Sequence, residues 1–316
     1  MIYRLPLRLC LLFNPYHRMR TVITYSDKPA TPMEGRMNKN KVVLLMLAIA
    51  MSGCAERPTP ATPPTDAAVA PPSVQPEMDA STRSKLREIL ALRAGWPAAQ
   101  PHGRTVDLIS REFLGTPYLA NRLIGSQNTP EQLVIDFRGL DCFTYIDYVE
   151  ALSTAHSEGE FVQRLIDIRY VDGNIAFPQR KHFFTDWAQR PHQVAEDITA
   201  QLSPHAVTLV KNLNQKADGS SYLPGLPNVQ RSVTYIPSDS VDDKVLSQLR
   251  TGDYIGIYTN LAGLDVTHTG IFVMTDNGPL LRNASSRKAN MRVVDSPFMD
   301  YVMATPGIVV LRSLSR

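Results

Sequence analysis

Residues 140–152 read LDCFTYIDYVEAL. Asp141 is a residue type that caps helices, and Phe143, Ile146, Val149 and Leu152 follow at three-residue steps, so the spacing predicts a buried helix over residues 140–156. Cys142 then falls in its first turn. A helix start suits a reactive thiol, because the thiolate is the nucleophilic form and the N-terminal dipole favours negative charge. A buried free cysteine is equally well explained as a small core hydrophobe. Position alone does not choose between the two.

Downstream of this helix the chain reads as strands. Asp253–Tyr258 (DYIGIY), His268–Met274 (HTGIFVM), Pro279–Ala284 (PLLRNA) and Gly307–Arg312 (GIVVLR) are short, rich in β-branched residues and bounded by turn formers. Asp276-Asn277-Gly278 between the second and third is a hairpin signal. Nearer the N-terminus, Ser81–Leu92 with Ser81 as its cap, Thr105–Leu114 and Glu160–Ile168 carry helical patterns. Helices first and an antiparallel sheet afterwards define an α+β fold. His268 opens one strand, and Gly270 leaves room for a helix or substrate to approach. Asn283, followed by Ala284, Ser285 and Ser286, lies across the hairpin. A cysteine on a helix start, a histidine on a strand and a polar orienter on the next strand make up the logic of a thiol hydrolase.

The beginning of the chain is an address. Residues 37–54 read MNKNKVVLLMLAIAMSGC: two lysines, an apolar run from Val42 to Met51, small residues and then Cys54. That is the layout of a secretory signal, and the run is too short to span a bilayer. The ending Met51-Ser52-Gly53-Cys54 resembles a bacterial lipobox, which implies that Cys54 is lipidated and becomes the mature N-terminus. By the same resemblance, Ala55 implies sorting to the outer membrane, facing the periplasm. Residues 1–36 precede this complete signal and carry no helical or strand period; they read as an upstream extension before a start at Met37, and Cys10 belongs to them. Residues 54–79 hold seven prolines among small residues and cannot bury a core. Such a stretch makes a semi-rigid tether at roughly 3.1 Å per residue. From residue 80 to 316 no further low-complexity break occurs, and a single domain is expected.

The formal net charge of +3 sits in the leader; once residues 1–53 are set aside, the remainder is slightly acidic. No basic stripe argues for nucleic acid. His17, His102, His156, His182, His192 and His205 show no close ligand spacing, so no metal and no cofactor is expected. No G-x-S-x-G elbow argues for a serine hydrolase.

Eight short motifs stand in order: Pro117-Tyr118, Asp141-Cys142, Arg180–Trp187 (RKHFFTDW), Gly252-Asp253, Gly263–His268 (GLDVTH), His268–Ile271 (HTGI), Asn283–Ser286 (NASS) and Ser296–Val302 (SPFMDYV). Together they resemble the NlpC-type papain-like cell-wall hydrolases, and within these the branch described as N-acetylmuramoyl-L-alanine amidase-like, over roughly residues 105–311. The resemblance implies a papain-like fold, with helices packed on an antiparallel sheet and the nucleophile at a helix N-terminus. It implies peptidoglycan or muropeptide fragments as substrate and cleavage of the amide between (anhydro)muramic acid and L-Ala through a thioester. It makes Cys142 the nucleophile and His268 the base. Asn283 stands where relatives often have histidine, and its side-chain oxygen can still orient an imidazole. Tyr118, Asp141, His182, Asp186, Trp187, Asp265 and Ser285 are carried over as substrate-side residues, with Arg180 or Lys181 as partner for a stem-peptide carboxylate. Phe183, Phe184 and Trp187 can equally be core anchors, and Asp265 a turn former. A γ-D-glutamyl-diaminopimelate endopeptidase would use the same cysteine and histidine, although no room for an added substrate-binding module exists before the catalytic helix. A non-catalytic murein-binding lipoprotein is the remaining alternative. A monomer is expected.

The anchor is tested by fractionation. Cys54→Ser is expected to move the protein from the detergent-extracted membrane to the soluble fraction. Equal partitioning of the two forms would remove the lipid anchor from this account.

Overall fold

The computed structural model describes residues 76–97 and 99–315. The upstream extension, the signal, Cys54 and nearly all of the Pro-rich stretch lie outside the described residues. The last residues expected for the tether already belong to the fold, since the Glu77 N–H donates to the Leu133 carbonyl at 2.9 Å.

Four helices come early: α1 (Ala80–Ala94), α2 (His102–Arg111), α3 (Cys142–Thr154) and α4 (Glu158–Arg169), with a small hairpin of β1 (Ile124–Ser126) and β2 (Thr129–Gln132) between α2 and α3. The middle of the chain holds α5 (Asp186–Gln189), β3 (Ala195–Asp197), α6 (Thr199–Leu202), β4 (Val207–Leu213) and β5 (Val229–Pro237). It ends with α7 (Asp243–Leu246), β6 (Tyr254–Tyr258), β7 (Val266–Thr275), β8 (Gly278–Ser285), β9 (Arg292–Pro297), α8 (Phe298–Val302) and β10 (Gly307–Ser313). Pairing is antiparallel throughout the large sheet, in the order β4-β5-β10-β6-β7-β8-β9, with β3 also on β10. The mixed α+β class expected from the sequence is present.

The centre of the sheet is covered on both faces. Along β6, Tyr254 and Tyr258 join the core beneath α1–α4, whereas Ile255 and Ile257 join a second core with α6, α7 and α8. Val309 and Leu311 of β10 alternate with Ile308 and Val310 in the same way. Period-two alternation between two apolar cores explains why these strands read as unbroken apolar runs.

Local chemistry sets the helix starts. α1 is capped by Asp79, whose Oδ1 accepts the N–H groups of Ser81 and Thr82, so the cap lies two residues before the expected Ser81. The aspartate reaches two otherwise unpaired amides, which is what a cap must do. At α3 the capping box is complete: Asp141 Oδ1 accepts from the amides of Phe143 (3.0 Å) and Thr144 (2.7 Å), and the Asp141 N–H donates to Thr144 Oγ1 (3.1 Å). Gly252, with φ +98°, passes so close to α2 that a Cβ on it would stand 2.7 Å from the Cα of Gly103, so backbone meets backbone there.

Arg282 of β8 is the polar joint between the helices and the sheet. Fully buried, it donates to Asp107 Oδ1, the Asp107 carbonyl and Ser110 Oγ, each at 2.9 Å, and chelates Asp295 at 2.7 and 3.0 Å. Glu150, buried on α3, accepts from His102, Tyr254, Ser313 and Ser315. Burial opposes its ionisation, but those hydrogen bonds hold its carboxyl below the usual range. It ties the C-terminal residues to the central helix. Removing one partner of a buried pair strands the other charge, so Arg282→Ala is expected to cost ~3–5 kcal/mol in urea unfolding. A loss near the ~0.5 kcal/mol typical of surface changes would show that the joint is not needed.

Candidate active site

Cys142 is a free cysteine and opens helix α3. The amides of Phe143 and Thr144 are consumed by Asp141, and that of Tyr145 donates to the Asp141 carbonyl at 3.1 Å. The Cys142 N–H is the amide of this first turn that none of these bonds uses, which makes it a donor for an oxyanion at the thiol. The Cys142 carbonyl is held from the sheet: Thr269 Oγ1 donates to it at 2.8 Å. Thr269 follows His268, so one bond brings the helix start to the strand that carries the imidazole.

His268 and Cys142, 7% and 5% exposed, line the same cavity of about 140 Å³. His268 Nε2 lies 2.9 Å from Asn283 Oδ1. The amide of Asn283 is oriented from its other side, because Nδ2 donates to the Leu281 carbonyl (3.0 Å) and to Ser296 Oγ (3.3 Å). A carbonyl only accepts, so the oxygen of Asn283 must face the imidazole and His268 Nε2 must carry the proton. The lone pair of a neutral His268 is thereby on Nδ1, which is the arrangement a general base requires. Tyr301 of α8 stacks on the imidazole, with centroids 6.0 Å apart at 18°, and the Arg287 guanidinium lies 3.9 Å from the Tyr301 centroid. Ser296 and Tyr301 were not singled out in the sequence as site residues, although both lie in the SPFMDYV stretch.

Gly270 answers a different need from the one expected. A Cβ there would meet Leu281, the Arg282 carbonyl and Asn283 Cβ at 2.8–3.1 Å, so the close approach is made by the neighbouring strand β8. The effect is to hold Asn283 within reach of His268.

The remaining candidates separate. Tyr118, Asp141, His182 and Asp265 line the cavity with Cys142. The Asp141 carboxylate is occupied by the cap. His182 donates to the Phe177 carbonyl (2.8 Å), and burial, assisted by Arg180, lowers its pKa to about 3, so the ring is neutral. Asp265 accepts from the Thr185 N–H (2.8 Å), Thr185 Oγ1 (2.9 Å) and the Val266 N–H (2.8 Å); burial pushes its pKa up. It fastens the start of the histidine strand to the turn at Thr185. Asp186, Trp187 and Ser285 do not line the cavity. Asp186 pairs with buried Arg231 at 2.9 Å, and Trp187 is fully buried edge-on to Tyr254 with centroids 4.9 Å apart. Ser285 faces Asn290 and the amide of Arg287. Of the RKHFFTDW stretch, the tryptophan is therefore a core anchor. Both cations already have partners within the protein: Arg180 chelates Glu131 at 2.9 and 2.5 Å, and Lys181 Nζ donates to the His192 and Asp167 carbonyls at 2.7 and 3.3 Å. Burial lowers the Lys181 pKa to about 8.

Among the described residues no group of three or more His, Cys, Asp and Glu comes together to hold a metal ion, and no helix is long and apolar enough to cross a membrane. A larger cleft of about 720 Å³ lies by the C-terminal half of α3, where Glu150 and His102 are already joined.

Fold and cavity together define an α+β protein in which a free thiol on a capped helix start and an oriented imidazole line one cavity. The model of the AmiA-like family, described as N-acetylmuramoyl-L-alanine amidase-like, matches residues 108–308. Among solved structures, an N-acetylmuramoyl-L-alanine amidase from Bacteroides uniformis is 30% identical, with a TM-score of 0.58 over 67% of this chain and 98% of that one. A putative xylanase from Bacteroides fragilis is 28% identical, with a TM-score of 0.54 over 65% and 99%. A Legionella pneumophila protein at 22% identity shares the fold, with a TM-score of 0.59 over 74% and 94%. A comparison with curated proteins returned no match. The chain belongs to the N-acetylmuramoyl-L-alanine amidase-like family.

The orienting bond gives a substrate-free prediction. Losing it is worth about 1–3 kcal/mol, so Asn283→Ala is expected to slow iodoacetamide alkylation of Cys142 at pH 7 by roughly 5- to 150-fold. An unchanged rate would show that His268 acts on the thiol without Asn283, or not at all.

Proposed function

We propose that the chain is a cysteine-dependent N-acetylmuramoyl-L-alanine amidase of the papain-like type, cutting the amide between muramic or anhydromuramic acid and L-Ala. The observation that carries this reading is the shared cavity: a thiol whose own amide lies outside the helix cap, next to an imidazole with its tautomer set by Asn283. Family membership supports the choice of bond.

In this reading His268 Nδ1 takes the proton of Cys142 as Sγ attacks the lactyl carbonyl carbon. The oxyanion forms against the Cys142 N–H. Collapse expels the L-Ala amine, which takes its proton from the His268 imidazolium, and leaves a thioester on Sγ. A water, deprotonated by His268, then releases the muramoyl carboxylate and restores the thiol. No cofactor enters. Lipidation at Cys54 and the Pro-rich tether would hold this domain on the periplasmic side of the outer membrane, in reach of murein.

Mass spectrometry of defined muropeptides incubated with the full-length protein tests the assignment. The expected product is intact stem peptide beginning with L-Ala, absent with Cys142→Ala. Release of L-Ala-D-Glu would make the protein an endopeptidase at the same site. No cleavage together with a muropeptide-dependent rise in melting temperature would make it a binding protein.

A further inference from the structure

The cavity has a wall that neither the catalytic residues nor the sequence motifs supply. Tyr222 and Leu223 line it from the segment joining β4 to β5. That segment is held by one residue. Asn214 is fully buried with φ +75°, a left-handed conformation that asparagine tolerates better than most residues. Its Oδ1 accepts the Leu223 N–H at 2.7 Å, and its Nδ2 donates to the carbonyls of Leu223 (3.1 Å) and Leu226 (3.0 Å). Its own carbonyl accepts the Tyr222 N–H at 2.9 Å, and its N–H donates to the Gly263 carbonyl at 2.9 Å. Both backbone groups of Leu223 and the amide of Tyr222 therefore end on a single side chain and its carbonyl. Lys211 of β4 fastens the neighbouring 259–264 loop instead, its Nζ donating to the carbonyls of Thr259, Leu261 and Leu264.

The far end of the segment touches the β1–β2 hairpin. A Cβ on Gly225 would stand 2.7 Å from Gln127 Cβ, so the two excursions meet. The hairpin is itself secured, because Glu131 accepts from Arg180 and from the Tyr170 hydroxyl. The wall is thus held by the chain's own hydrogen bonds, which favours a fixed rather than an adaptable surface.

Its chemistry selects between the two halves of the substrate. The stem peptide carries carboxylates, but Arg180 and Lys181, the cations that line the cavity, are already occupied by Glu131 and by two carbonyls. Tyr222 and Leu223, continued by Leu264, present an aromatic ring and aliphatic side chains. The Lys216 ammonium lies over the Tyr222 ring, 5.3 Å from its centroid, and steadies it. An uncharged N-acetylated sugar ring, with its apolar C–H face and acetamido methyl, suits such a surface. On the amidase reading proposed above, we infer that the Tyr222–Leu223 wall receives the N-acetylhexosamine ring of the muramoyl group and that Asn214 is the positioning residue for this wall.

Two substrates test it: a muramoyl tripeptide and the matching D-lactoyl tripeptide, which keeps the scissile amide and lacks the sugar. The wild-type protein is expected to have the lower KM for the muramoyl substrate. Tyr222→Ala should raise that KM by about tenfold with kcat within about twofold, and raise the KM for the lactoyl substrate by a much smaller factor. Tyr222→Phe, which keeps the ring, should retain the wild-type KM. Asn214→Ala should reproduce Tyr222→Ala, with Cys142 alkylation at the wild-type rate as the control for an intact site. Equal effects of Tyr222→Ala on the two substrates, or a wild-type protein that does not distinguish them, would overturn the inference. Failure of the wild type to cut either amide would instead sink the amidase reading and the inference with it.

Discussion

One hydrogen bond carries more of this structure than its energy implies. Thr269 Oγ1 holds the carbonyl of Cys142, and so fastens the first residue of α3 to the strand next to His268. Cys142 and Asp141 come from the helical half of the chain, and His268 and Asn283 from the sheet half. That contact sets the thiol-bearing helix start directly against the strand that carries the imidazole. The surrounding polar joints keep the two halves in this relation: Arg282 binds α2 to β8, and Glu150 binds α3 to β6 and the C-terminal residues. Buried charges are costly unless fully partnered, and these are partnered by several groups each.

Orientation of the imidazole follows the same rule. Both ends of the Asn283 amide are committed. Its nitrogen is used by Leu281 and Ser296, which leaves only its oxygen for His268. Carbonyl, amide and imidazole form a relay with a single consistent direction of donation.

How much of this was legible depended on where the partners lie in the chain. The Asp141 cap, the four early helices and the β7–β8 hairpin rest on residues within a few positions of one another, and local pattern reveals them. β4 and β5 were missed. β4 is the outer strand and exposes Val207, Leu209 and Val210, while β5 buries Arg231 where alternation calls for an apolar residue. That arginine is buried because it meets Asp186, 45 residues away. The same holds for RKHFFTDW: whether Arg180 faces a ligand or the interior is decided by Glu131, 49 residues distant, and no spacing rule carries that information. Asn214 had a faint local signal, an asparagine closing an apolar strand before a turn-rich stretch, which on its own says nothing of a cavity.

Glu150 has a consequence for the order of assembly. The helix that presents the thiol is tied to Tyr254, to Ser313 and to Ser315, up to 165 residues further along. The imidazole and its orienting amide also arrive late in the chain. A chain that ends before β10 lacks the contacts that complete α3, and one that ends before β7 lacks the imidazole that shares the cavity with Cys142. The contacts that build the cavity are nearly all remote in sequence, so its geometry is completed late rather than by degrees. The chain's own topology thus makes the cavity around Cys142 one of the last features of the fold to be completed.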